Sequence, residues 1–145
     1  VEYAADFLDQ INVGDACSRP VETVRADEPI GTLRKRGFTH QGFPVLDAEN
    51  NLLGVITRRN FLDPTKPDFT PAGELVTRAP AIIFPDNSLR DAADQMVRAD
   101  IGRLVVVSRA QPRKVIGFLT RSDLLRAHET RLAHAEKQPG TFEET

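Results

Sequence analysis

Two four-residue stretches carry the side chains best suited to chemistry. Thr120-Arg121-Ser122-Asp123 sets a hydroxyl, a guanidinium and a carboxylate within one helical turn. Thr57-Arg58-Arg59-Asn60 repeats the pattern 63 positions earlier, with an amide in place of the carboxylate. Each follows an apolar run, so each reads as a helix starting directly after a buried strand. Thr with an acidic residue three positions on is a capping box, which needs no ligand. The same helix start also presents free N–H groups and partial positive charge, which suit a phosphate. Thr120 and Arg121 would add hydrogen bonds there. Both readings stand on these residues. In the earlier copy Asn60 offers one neutral acceptor oxygen, so a hydroxyl partner is held less firmly. Arg58 and Arg59 either favour additional phosphate or face solvent from the helix start.

The elements that must position these stretches are themselves repeated. Gly54 and Gly117, Thr57 and Thr120, and Asn60 and Asp123 are each 63 positions apart. Upstream, Gly42 aligns with Gly102 at 60, and Asp27 with Asp86 at 59. Such an internal repeat fixes the architecture, with loops absorbing the drift. Each half reads strand, helix, strand, hairpin, strand, helix. Strands are expected over 21–26, 43–47 and 52–57, and again over 79–84, 103–108 and 114–120. Asp27 and Pro29 mark the start of a first helix that Gly37 ends. Ser88 and Asp91 form a capping box, with Leu89, Ala92, Ala93, Met96 and Val97 as a helical face. The last helix runs from Ser122 to about Lys137, with Leu124, Leu125, His128, Leu132 and Ala135 as its face. Tyr3, Phe7, Leu8 and Ile11 mark an amphipathic N-terminal helix, and residues 13–19 a brief helical turn. Residues 63–71, with three prolines, form a stiff linker. The polar tail 141–145 is expected to be disordered.

The 145 residues suit one domain or two small fused repeats. A formal net charge of −2 gives no electrostatic footprint for duplex nucleic acid. Cys17 is the single cysteine, which excludes an internal disulfide and suits a reducing compartment. No apolar run approaches the ~20 residues that cross a bilayer, and no signal peptide is visible. A chain starting at Val1 reads as a fragment of a longer protein. His40, His128 and His134 make no metal pattern, and neither a nucleophile triad nor a P-loop is present. These absences point away from an enzyme.

Two copies of β-α-β-β-α, each closing on Gly-x-x-Thr-x-x-(Asp/Asn), resemble a tandem pair of cystathionine-β-synthase (CBS) domains, or Bateman module. The resemblance covers roughly residues 13–128. It implies an α+β fold in which two repeats pack sheet to sheet about a pseudo-twofold axis. It also implies a non-catalytic module that binds adenosine nucleotides (AMP, ADP or ATP) in the clefts between repeats and regulates a fused protein. S-adenosylmethionine shares the adenosine end. The stretch His40-Gln41-Gly42-Phe43-Pro44-Val45-Leu46-Asp47 further resembles the first-repeat signature of chloride channel and transporter tails. That implies a transporter domain in the parent chain and a location at the cytoplasmic face of a membrane.

By the family's layout, Thr120, Arg121 and Asp123 hold one nucleotide, Asp123 taking the ribose hydroxyls. Thr57, Arg58 and Asn60 hold the other. Val24 and Ile83 (or Ile82) supply apolar walls for adenine, with Arg103 facing a cleft or solvent and Phe43 packed in the core. The expected division is an N-terminal helical linker (1–12), repeat one (13–63), a proline-rich linker (64–71), repeat two (72–128) and the helix end with its tail (129–145). Tandem modules of this family commonly pair into flat discs, so a homodimer is expected. A module that only dimerises, its clefts empty, is the second reading, and Asn60 is compatible with it.

Overall fold

The computed structural model describes residues 7–136. Tyr3 of the N-terminal stripe and the tail 137–145 lie outside the described residues; Phe7 to Asp9 are helical. The remaining chain is two copies of one unit. In the first, β1 (Val24–Arg25) runs parallel to β2 (Gly42–Leu46), which pairs antiparallel with β3 (Leu52–Thr57). In the second, β4 (Ile82–Ile83), β5 (Arg103–Val107) and β6 (Val115–Thr120) repeat the order and directions. Helices α1 (Val13–Ala16), α2 (Ile30–Lys35) and α3 (Arg58–Leu62) serve the first copy in sequence. A 3₁₀ turn (Ala72–Leu75), α4 (Leu89–Ala99) and α5 (Arg121–Glu136) serve the second.

Alternation along the middle strands builds three apolar layers. Phe43 and Val45 face a first core with Val24, Ile30, Leu33, Ile56 and Phe61. Leu104 and Val106 face a second with Ile83, Leu89, Met96 and Leu119. The opposite faces meet in a third layer, where Leu52, Val105, Val107 and Phe118 are buried between the sheets. Covered on both sides, β5 is apolar from Leu104 to Val107 rather than alternating. Each such side chain contributes about 1.5–3 kcal/mol by leaving water.

The ladders correct the sequence alignment at one position. Gly42 pairs with Thr57 and Arg103 with Thr120, so Arg103, not Gly102, is the counterpart of Gly42. The extra residue falls in the loop before β5. Both copies carry a register shift at the same place, between Val45 and Leu46 and between Val106 and Val107.

The two lead-in segments are exchanged between the units. Val13 of α1 is buried in the second core, and Ala72 and Leu75 of the 3₁₀ turn in the first. Each segment crosses the other unit's last strand at a glycine. A Cβ on Gly117 would lie 2.6 Å from Cys17 Sγ, and one on Gly54 would overlap Val76 Cγ1. Beside Gly117, Ser18 and Phe118 exchange backbone hydrogen bonds at 2.9 and 3.2 Å. This crossing explains why β1 and β4 have only two residues each where six were expected. Residues 20–22 and 79–80 lie outside their own ladders, while Ala81 O still accepts from Val105 N–H at 2.9 Å.

Several local expectations change. Asp27 does not cap α2; Pro29 stands at the cap, and Asp27 pairs with Arg25 at 3.5 Å in solvent. Ser88 and Asp91 do form the capping box of α4, at 3.0 Å in each direction. Val97 is 80% exposed, and Leu125 and Leu132 are 65% and 49% exposed, so the buried faces of α4 and α5 are narrower than the sequence suggested. On α5 it is Leu124 and Ala127 that pack on the second core. The linker is held by Arg34, which donates to the carbonyls of Phe61, Asp63 and Lys66 at 2.7 Å each and pairs with Asp68. No helix among the described residues is long and apolar enough to cross a membrane.

Candidate functional site

Two clefts open where the lead-in segment of one unit passes the helix start of the other. The first, about 480 Å³, lies between Ser18 to Glu22, the loop Thr39 to Gly42, and the start of α5 with Thr120 to Asp123. The second, about 630 Å³, lies between Thr57, Asn60, the segment Thr77 to Ala81, and Ala99 to Arg103. Both volumes fall in the range of small-molecule sites.

In the first cleft the capping box is formed. Thr120 N–H donates to Asp123 Oδ2 at 2.9 Å, and Asp123 N–H donates to Thr120 Oγ1 at 3.3 Å. Asp123 is only 3% exposed, and its second oxygen, Oδ1, accepts from Arg126 at 2.7 Å. Both carboxylate oxygens are therefore engaged. A hydroxyl pair would take Oδ1 from Arg126, a largely exposed side chain that loses little by turning to water. The sequence reading missed Arg126, although acidic and basic residues three apart on a helix are a readable pair.

Arg121 lines this cleft while its own N–H donates to Gly102 O at 3.1 Å and its guanidinium to Ile101 O at 3.4 Å. Its counterpart Arg58 is more fully committed. It donates from Nε to His40 O at 2.8 Å and from Nη2 to Phe38 O, and its N–H donates to Gln41 O at 3.0 Å. Arg58 lines neither cleft, contrary to expectation. Instead it braces the loop 38–41, whose tip forms a wall of the first cleft.

The second cleft has a poorer polar floor. Asn60 Oδ1 accepts from both Thr57 N–H (2.8 Å) and Thr57 Oγ1 (3.1 Å), so the amide oxygen and the hydroxyl satisfy each other. The helix behind them, α3, has five residues against sixteen in α5, and its dipole is correspondingly slight.

Val24 and Ile83 are 1% and 3% exposed inside the first and second cores, and neither lines a cleft. The apolar walls come instead from Pro20 and Val21 in the first cleft and from Ala79, Pro80 and Ala81 in the second. These positions lie two to four residues earlier, on the crossing segments. Arg103 lines both clefts. Glu22 and His40, which the sequence reading did not place here, meet at 2.6 Å on the wall of the first cleft, with Thr39 3.2 Å from His40 Nδ1. Partial burial works against the Glu22 charge. The hydrogen bond and positive charge of His40 outweigh it and hold Glu22 below its ordinary range.

A duplicated three-stranded unit with exchanged lead-in segments and paired clefts defines a class. The CBS domain model matches residues 13–64 and 72–129, and the chain belongs to that family. Among curated relatives, an uncharacterized protein of Methanocaldococcus jannaschii is 30% identical over 82% of this chain, which spans 40% of that protein. A homoserine O-acetyltransferase of Methanohalobium evestigatum is 25% identical over 86% of this chain and is four times longer than the matched part. The chain thus spans well under half the length of these relatives. Among solved structures, the CBS domain of a CBS domain containing membrane protein from Sphaerobacter thermophilus superimposes with a TM-score of 0.71. It is 26% identical, covering 87% of this chain and 93% of that one. CBSX2 in complex with AMP superimposes at 0.68 with 25% identity, over 83% and 97%.

Proposed function

We propose that this CBS pair is a regulatory, non-catalytic module that takes an adenosine nucleotide (AMP, ADP or ATP) in the first cleft. The supporting observation is the cleft floor at the start of α5. There a buried Asp123 shares one carboxylate oxygen with a displaceable Arg126, beside Thr120 and Arg121. CBSX2, similar over most of the chain, holds AMP. Adenine would lie against Pro20 and Val21, ribose on Asp123, and phosphate toward Arg121. The second cleft, with Asn60 saturated by Thr57, is the weaker site. Occupancy would bias how the two units sit together and so act on a partner through differential affinity. That partner is a membrane transporter of the chloride channel type, the reading supported by residues 40–47, and the module works at the cytoplasmic face of the membrane. Two copies pair through the exposed Leu62 and Leu125, which are 63 positions apart in the repeat.

Calorimetry with AMP, ADP and ATP tests the ligand. One dominant saturable site that weakens in Asp123→Ala is the expected result. An absence of heat with all three would leave a scaffold that only dimerises. Light scattering tests the pairing, and transport by the parent protein with and without nucleotide tests the regulation.

A further inference from the structure

Two arginines that line the clefts make no side-chain hydrogen bond with any described residue: Arg78, which lines the second cleft and is exposed, and Arg103, which is not. Arg58, Arg121 and Arg126 each hold a carbonyl or carboxylate. The Arg103 side chain makes no hydrogen bond or ion pair with any described residue, yet the residue is half-buried. It is also the one charged side chain, among the described residues, that lines both clefts. Its position follows from the ladder register. Arg103 and Gly42 are counterparts in the two ladders, and they stand side by side. A Cβ on Gly42 would lie 2.8 Å from Arg103 Cδ and 2.9 Å from Nε. The missing side chain of one unit is thus the space that the arginine of the other occupies. A partly desolvated cation without a partner is unfavourable, and an anion arriving from either side would relieve it.

We propose that Arg103 is a phosphate-binding side chain shared by the two clefts, so that a nucleotide phosphate seated in one weakens binding in the other. This rests on the adenosine-nucleotide reading above. One guanidinium can be turned fully toward only one phosphate. Once neutralised, it leaves the second phosphate facing the first across a thin wall. The coupling is therefore negative and depends on phosphate charge. Adenosine, which has no phosphate, fills the clefts independently.

The test is an NMR titration of the full chain with ADP and, separately, with adenosine. The amides of Thr120 and Ser122 report the first cleft, and those of Asn60 and Thr77 the second. With ADP, filling the first cleft is expected to raise the dissociation constant of the second about ten-fold, within the usual range of such couplings. Adenosine should show no coupling. In Arg103→Gln the competition for the guanidinium is gone, so the coupling should shrink to what direct phosphate repulsion leaves, and ADP should weaken about ten-fold in the first cleft, while adenosine is unchanged. Arg103→Lys keeps the charge and should retain part of the coupling. Independent filling by ADP in the native chain, or equal ADP affinities in native chain and Arg103→Gln, overturns the proposal and leaves the ligand reading standing. A complete lack of ADP and adenosine binding overturns both.

Discussion

Replacing Asp123 by asparagine separates the two duties of this residue, and the chain contains its own control. As a cap, Asp123 accepts from Thr120 N–H at 2.9 Å; Asn60 accepts from Thr57 N–H at 2.8 Å in the other unit. Asparagine at 123 should therefore keep the cap and lose only the pair with Arg126. Because Arg126 is largely exposed, that pair is worth about 0.5 kcal/mol. For a chain of this size the loss lowers Tm by about 2 °C. Asp123→Ala loses the cap as well, about 1–2 kcal/mol in all, and Tm falls by about 3–6 °C. As a ribose acceptor, the charged carboxylate makes hydrogen bonds roughly twice as strong as an amide does. The difference of about 1.4 kcal/mol weakens AMP about ten-fold in Asp123→Asn, and Asp123→Ala, with no acceptor left, weakens it further. Thermal unfolding and calorimetry on the three proteins read the two effects separately. Two outcomes would refute the reasoning: AMP binding in Asp123→Asn within two-fold of native, or a Tm as low as that of Asp123→Ala.

Two further substitutions test the scaffold. Gly54→Ala drives a Cβ into Val76, whose Cγ1, Cγ2 and Cβ all lie within reach, so no single rotation relieves the overlap. It should cost about 1–3 kcal/mol by urea unfolding, and adding Val76→Ala should recover most of it. At α4, Asp91 is held below its ordinary value of 3.8 by the Ser88 backbone N–H first and the Asn87 side chain second. A depressed carboxylate stabilises above its unfolded pKa and loses that contribution as pH falls through the folded one. Asp91→Asn should therefore be less stable than native by roughly 0.5 kcal/mol above about pH 5, and the two unfolding curves should converge below about pH 3. A difference that persists in acid would mean that the charge of Asp91 contributes nothing.

The repeat was legible because the residues that shape the unit occur twice at fixed spacing. Gly54 and Gly117 clear the crossing segments, and Thr57 and Thr120 start helices directly from strands. These are short-range demands, and a local pattern expresses them. The cleft walls were not legible from each unit alone, since each cleft is walled by both units. Val24 and Ile83 satisfy the apolar pattern of their own strands and are therefore consumed by their own cores. Val21 and Ala79 to Ala81 read as the first residues of those same strands, and only the exchange of lead-in segments brings them, with Pro20, to the site. The ends of α4 and α5 misled for a different reason. Val97, Leu125 and Leu132 obey the helical period, but that period does not say where the body of the unit stops.

Three differences between the two halves fall at the clefts. Asp123 faces Asn60 across the repeat, Arg103 faces Gly42, and Arg121 in a cleft faces Arg58 withdrawn into a loop. The first and third leave the start of α3 with less free polar capacity than the start of α5, while Arg103 lines both clefts. Two of the differences also improve the first cleft: Arg58 stiffens the wall at residues 38–41, and Gly42 makes room for Arg103. A pair kept only for scaffolding would gain nothing from making its two helix starts unlike. A pair that reads one ligand in a strong site, and adjusts that reading through a weak one, requires this kind of asymmetry. Restoring symmetry from the weak side, with Asn60→Asp, should then raise AMP affinity in the second cleft toward that of the first. It should do so only in part, because Arg58 remains committed to the loop.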